Sequence, residues 1–147
     1  MIRPTHRKAW LAIGLAMMLA GCTPPAADSN AALACPTPPG QPVLVFQLFF
    51  GRSIPALGEV TDRDWDQFVD RVITPNLPNG FTVFDATGEW MNPQTHGTIH
   101  ERTKVLLAAL PRAPNSIAPI ERIRNAYQAE FHQQLVGMTV APGCGDF

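Results

Sequence analysis

The chain has 147 residues, 15 of them proline, and a formal net charge of −1 at pH 7. This length corresponds to a single folded domain. Without its first 21 residues the chain carries 8 Lys and Arg against 12 Asp and Glu, a charge near −4, which argues against partners that need clustered positive charge, namely nucleic acids and anionic membrane surfaces.

The first 21 residues predict a bacterial export signal. Three basic residues precede an apolar run over residues 10–20, which ends in Leu19-Ala20-Gly21-Cys22. At 1.5 Å per residue this run is too short to span about 30 Å of hydrocarbon. Its end resembles the lipobox of bacterial lipoproteins, in which the cysteine takes a diacylglyceryl group, the signal is removed and the new amine is acylated. We therefore predict a lipoprotein signal peptide over residues 1–21 and lipidation, including palmitate, at Cys22.

The anchor predicts a compartment. Residue 23 is Thr rather than Asp, which in lipoproteins of double-membraned bacteria implies export to the outer membrane, facing the periplasm. Removal of the signal leaves 126 residues with 8 Lys and Arg against 12 Asp and Glu. Residues 22–41 are mostly Pro, Ala, Ser and Gly, so we expect a disordered tether before a folded domain over residues 42–147.

Two further cysteines predict a disulfide. Cys35 and Cys144 are an even pair in an oxidising compartment, and neither lies in a Cys-x-x-Cys motif or beside a histidine. A structural bridge is therefore favoured over a catalytic role.

The folded part begins with a strand over residues 43–50, an apolar run with one polar member that is typical of a strand buried on both faces. A capping motif at Thr61 predicts a helix that Thr74-Pro75 ends. Strands follow over residues 81–85 and 98–110, with a turn at residues 86–88 and a loop over residues 91–97. Finally, Ser116 is placed to cap a helix, and residues 136–141 predict the last strand. The stripe of this second helix is Ile117, Ile120, Ile123, Tyr127 and Phe131.

This order predicts an α+β, ferredoxin-like split βαβ fold (β-α-β-β-α-β). The antiparallel four-stranded sheet would have the order 4-1-3-2, with two helices on one face. Strand four would then lie beside strand one, which brings Cys144 near Cys35. Val43, Val45 and Phe49 would remain on the uncovered face, where we expect a homodimer or an envelope protein partner, or else a flap or a ligand over it.

Several motifs are similar to a family of bacterial envelope proteins known as domain of unknown function 3574. The resemblance extends from about Leu44 to the C-terminus and implies no reaction, cofactor or catalytic residue. One departure is Glu101-Arg102-Thr103-Lys104, where the family has Glu-x-Ser-Lys. The matching motifs are Phe50-Gly51-Arg52-Ser53, Trp65-x-x-Phe68, Thr74-Pro75, Gly80-Phe81-Thr82-Val83, Asp85-x-x-Gly88-x-Trp90, Lys104-Val105-Leu106-Leu107 and Ile120-x-x-Ile123-Arg124-x-x-Tyr127-x-x-x-Phe131.

The predicted topology gathers polar residues at the end of the sheet opposite the cysteines. Such a set could hold an anionic or sugar-like ligand, with Arg52 offering a bidentate fork. The alternative, which we favour, is a salt-bridged rim with Trp90 as a plug of the core. The candidate ligand-binding residues are Arg52, Asp85, Glu89, Trp90, Glu101 and Lys104.

Metal and nucleophilic chemistry have little support. His96 and His100 would lie about 13 Å apart on a strand, too far to share a metal ion. His132 is predicted to be a surface residue or a charge at the end of the second helix, and no nucleophile elbow or phosphate loop is present. We expect no cofactor, and a non-catalytic binding or protein-interaction module. The alternative is a small enzyme of the dimeric α/β barrel type, with a pocket on the open sheet face that uses Lys104, Asp85 and Arg52.

Overall fold

The computed structural model of the chain describes residues 35, 40–54, 57–92 and 95–146. The predicted signal peptide, Cys22 and most of the predicted tether lie outside the described residues. The described part contains strands β1 (Gln41–Gly51), β2 (Ser53–Ile54), β3 (Gly58–Glu59), β4 (Thr82–Met91), β5 (Thr98–Pro111) and β6 (Gly137–Gly145), and helices α1 (Asp62–Phe68), α2 (Thr74–Asn76) and α3 (Ala118–Phe131). A π-helical turn, Val69–Ile73, joins α1 to α2, so these three pieces form one continuous first helix.

The four long strands form one antiparallel sheet in the order β4-β5-β1-β6. The first strand of the chain is therefore interior, between β5 and β6, as its composition predicts. Counted without the β2–β3 hairpin, the long strands lie in the order second, third, first, fourth. The prediction of an α+β fold with a four-stranded antiparallel sheet and two helices is confirmed. The hairpin between β1 and α1 was not predicted.

Alternate residues of β1 build the core. Phe46, Leu48 and Phe50 are at most 1% exposed, and each contributes on the order of 2–3 kcal/mol by burial. The ring of Phe50 meets Trp65 of the first helix at 5.2 Å and Tyr127 of α3 at 4.8 Å between centroids, both edge to face. Because both helices touch the same side chain, they cover the same face of the sheet.

The first helix begins as predicted and ends later than predicted. The Thr61 hydroxyl accepts a hydrogen bond from the Asp64 N–H, and the Asp64 carboxylate accepts one from the Thr61 N–H, which completes a capping box. Thr74-Pro75 does not end the helix, because the π turn bonds the Thr74 N–H to the Val69 carbonyl and the chain continues to Asn76. Pro75 occupies the start of α2, where a missing N–H is tolerated.

Three further predictions are corrected. Residues 86–88 form no turn, because β4 runs unbroken to Met91 and pairs with β5 along its whole length. Ser116 does not cap α3: its hydroxyl bonds the Pro111 and Ala113 carbonyls, while Ile117 takes the cap position and is 44% exposed. The last strand extends to Gly145, so Cys144 lies within it, opposite Pro42.

Cys35 and Cys144 form the predicted disulfide, with their Cα atoms 5.6 Å apart. The bridge fixes the chain just before β1 to the end of β6. Within the described residues, no helix has the length and hydropathy that crossing a membrane requires.

Candidate functional site

Arg52 follows β1 directly and is buried, with 1% of its surface exposed. Its Nε donates to the Val60 carbonyl at 2.7 Å, and its Nη1 donates to the Asp62 carboxylate at 2.8 Å. These bonds direct the guanidinium toward the start of α1. Arg52 therefore joins β1, β3 and the first helix, and presents no free fork to solvent.

Lys104 extends the same network across the sheet. On β5 it lies opposite Phe50, and its ammonium is 2.6 Å from Asp85 of β4 and 3.8 Å from Asp62. The hydrogen bond from Lys104 lowers the pKa of Asp85 below its ordinary value. With Arg102, which pairs with Glu59 and Asp62, three cations face three carboxylates. We call Arg52, Glu59, Asp62, Asp85, Arg102 and Lys104 the rim cluster. It matches the salt-bridged rim interpretation, while ligand binding by these residues stays a prediction.

Glu101 and Trp90 lie on the other face of the sheet. The Trp90 indole N–H donates to Oε1 of Glu101 at 3.1 Å, and the backbone N–H of Ser53 donates to Oε2 at 3.3 Å. Trp90 is 41% exposed, so it is not the predicted plug of the core. Glu89 pairs instead with His100 at 3.4 Å, in an exposed contact between β4 and β5. The six predicted candidates thus do not converge on one site.

The sheet face that neither described helix covers, here called the open face, is nearly free of charge. Among its described residues only Glu101 is ionisable. Three aromatic side chains project from it: Phe49 is 37% exposed, Phe84 51% and Trp90 41%. The residues of the open face are Val43, Val45, Gln47, Phe49 and Gly51 on β1, Thr82, Phe84, Ala86, Gly88 and Trp90 on β4, Ile99, Glu101, Thr103, Val105, Leu107, Ala109 and Pro111 on β5, and Gly137, Thr139, Ala141 and Gly143 on β6.

Two glycines leave the backbone without side chains at one corner of the open face. A Cβ on Gly51 would lie 2.7 Å from both carboxylate oxygens of Glu101, and a Cβ on Gly88 would lie 2.7 Å from the Thr103 hydroxyl. Glycine inside a strand weakens it but lets another group approach the backbone closely. Glu101 therefore lies flat against β1, beside Trp90.

Several members of the rim cluster and of the open face are not predicted by the sequence patterns. Glu59 lies on the unpredicted hairpin, and Asp62 and Arg102 lie on predicted elements whose contact with each other and with Glu59 follows only from the structure. The sequence predicts a strand at Phe84 but does not indicate on which face of the sheet its side chain lies. If residues 82–91 had been taken as one strand, their alternation would have placed Phe84 and Trp90 together.

Among the described residues, no group of three or more His, Cys, Asp and Glu side chains is placed to hold a metal ion. Described residues line, among others, two surface depressions. One lies at the start of β1, beside Asn79 and Asp146, and the other is an open groove along Asp85, Ala86, Thr87 and Arg102. Neither is an enclosed apolar cavity with converging polar groups, which is the usual form of a small-molecule site.

Comparison with known proteins gives a fold and a family. No curated protein matches the chain. Among solved structures, a phage SAM lyase in complex with S-methyl-5'-thioadenosine superposes with a TM-score of 0.56 and 9% identity, over 76% of this chain and 97% of that one. At that identity the likeness concerns the fold alone. The model of the family described as protein of unknown function (DUF3574) matches residues 46–147, and the chain therefore belongs to this family.

Proposed function

We propose that this chain is a lipid-anchored, non-catalytic binding module of the bacterial cell envelope, and that its open face binds a protein partner. The observation that carries the proposal is the sheet face left open by the described helices, with Phe49, Phe84 and Trp90 each more than a third exposed. Soluble monomers rarely expose large contiguous apolar patches, and where such a patch occurs it usually marks an interaction site.

The size of the face is sufficient for a specific contact. Four strands at about 4.8 Å and eight residues at about 3.3 Å give about 500 Å² of sheet. A partner of equal area would bring the buried surface to about 1,000 Å², the lower limit of stable interfaces. The proposed complex is therefore of modest size, and an anchor that holds both proteins on one membrane would strengthen it.

The anchor is the second part of the proposal. Cys22 would carry acyl chains, including palmitate, and hold the domain at the outer membrane, facing the periplasm; more than one chain is needed for durable attachment. Labelled palmitate should enter the wild-type chain and a Cys144→Ser variant, which keeps Cys22. It should not enter a Cys22→Ala variant. Equal labelling of all three would reject lipidation at Cys22.

The arrangement of the long strands also supports a ferredoxin-like description of the domain, as part of this proposal. That fold hosts small enzymes as well as binding modules, so it does not choose between the two. An enzyme with a pocket on the open face would need polar groups that converge there. The described open face offers one carboxylate, which favours the binding module.

Photocrosslinking in the cells that make the protein tests the binding surface. Phe84 is replaced by photoreactive benzoylphenylalanine on the open face, and Leu135, which is 65% exposed in the loop before β6, serves as the control position. We expect one discrete adduct from position 84 and none from position 135. If position 84 gives no adduct, or if both positions give the same products, the open face is not a binding surface.

A further inference from the structure

Glu101 has no ionic partner in the described part of the chain. The ion pairs there involve Glu59, Asp62, Asp85, Glu121 and Glu130, and Glu89 contacts His100; Glu101 is in none of these contacts. It is also the one ionisable side chain among the described residues of the open face. A single unpaired carboxylate on an apolar binding surface is costly to bury unless the partner supplies its counter-charge.

The carboxylate is held in a defined position. Its two oxygens accept one bond each, from the Trp90 indole and the Ser53 backbone, while Gly51 and Gly88 leave the backbone beside it bare. An ionised carboxylate has about four acceptor sites, so capacity for a bidentate donor remains. Trp90, at 41% exposure, also offers an aromatic surface on which a cation can stack.

We infer that one corner of the open face is a subsite for a basic side chain carried by an apolar segment of the partner protein. This Glu101 corner consists of Gly51, Ser53, Gly88, Trp90 and Glu101. This inference rests on the proposed function and names the chemistry of its partner. A second copy stacked face to face would bring another carboxylate and no cation from its open face. The charge pattern therefore favours a different protein with an exposed arginine or lysine.

The test uses two peptides that differ in charge alone. Acetyl-Ser-Leu-Arg-Leu-Ser-amide is compared with the same peptide carrying citrulline, the neutral isostere of arginine. Binding to the ¹⁵N-labelled full chain in detergent is followed at the Trp90 indole N–H signal, assigned with a Trp90→Phe variant. We expect the arginine peptide to bind about tenfold more tightly or better, the effect of one charge-assisted contact.

Glu101→Gln should remove this preference, because an amide keeps the shape and loses the charge. Glu89→Gln is the matched control: it neutralises a carboxylate on the neighbouring strand, off the open face, and should preserve the preference. Equal binding of the two peptides, a preference that survives Glu101→Gln, or no shift of the Trp90 signal would each overturn the inference. None of these results would remove a crosslinked adduct at position 84, so the proposed function is tested separately.

Discussion

Arg52 is a buried cation whose carboxylate partners are largely exposed. Its side chain is 1% exposed, against 43% for Glu59 and 67% for Asp62. Its structural value therefore comes mainly from filling space and from bonding the buried Val60 carbonyl, rather than from Coulomb attraction.

Replacing Arg52 with Met should lower the free energy of unfolding by about 2 kcal/mol, because the Val60 carbonyl loses its donor while the apolar stem is kept. Arg102→Met is the control, since Arg102 pairs with the same two carboxylates but is 56% exposed. Its loss should cost less than about 1 kcal/mol. Urea unfolding measures both. Equal losses would show that the ion pairs, and not burial, determine the contribution of Arg52.

The Lys104–Asp85 pair predicts a pH dependence. The hydrogen bond from Lys104 lowers the pKa of Asp85 in the folded protein, so the ionised carboxylate stabilises the fold. This contribution is complete above the unfolded pKa of about 3.9 and is lost as the pH falls through the lower folded value. Asp85→Asn should therefore reduce the melting temperature at pH 7, and the difference from wild type should shrink below about pH 4.

Asp70→Asn controls for the loss of a carboxylate. Asp70 is exposed and belongs to none of the ion pairs in the described part of the chain. We expect little change in melting temperature from this variant at pH 7. A gap between wild type and Asp85→Asn that stays constant down to pH 3 would contradict the assigned pair.

The regular α-helical part of the first helix, α1, has only seven residues before the π turn, so its N-terminal cap should contribute strongly to its stability. The Thr61 hydroxyl bonds the Asp64 N–H, and its own hydrogen bond to the Asp64 carboxylate lowers the pKa of that group. Thr61→Ala should cost about 1 kcal/mol in urea unfolding. Gln67→Ala, an exposed position in the same helix, should be near neutral. Similar losses for the two would show that helix propensity, and not the cap, is what Thr61→Ala changes.

The elements differ in how far the sequence could predict them. β1 was predictable because a continuous apolar run of this length is typical of a strand in the interior of a sheet. The hairpin was not, because strands of two residues carry no periodicity. Ala86-Thr87-Gly88 has the composition of a turn, but pairing with residues 101–103 of β5 overrides that local preference.

The same error explains why the candidate site was predicted as one cluster. Side chains alternate between the faces of a strand, so Trp90 and Glu101 cannot lie on the same face as Asp85 and Lys104. A turn at residues 86–88 hid that alternation. The sequence predicts correctly that the candidate residues lie on neighbouring strands. That they lie on opposite faces of the sheet follows only from the unbroken β4.

The whole domain is closed by the disulfide between Cys35 and Cys144, which are 109 residues apart. By the chain-entropy argument, a loop of this length stabilises the fold by up to about 4–5 kcal/mol. Cys144→Ser should lower the free energy of unfolding by an amount in that range. Wild type in excess reductant should then match the variant, and a wild type insensitive to reduction would contradict this role.

The central claim is that a protein partner covers the open face in the cell. The most direct measurement is the native mass of the protein in envelope extracts solubilised with mild detergent, for wild type, Phe84→Ser and Val140→Ser. Val140 is 50% exposed on the opposite face of the sheet, so it is the matched control. We predict a complex larger than the chain for wild type and Val140→Ser, and its loss in Phe84→Ser. A complex that survives Phe84→Ser, or a wild-type chain that migrates alone, would contradict the claim.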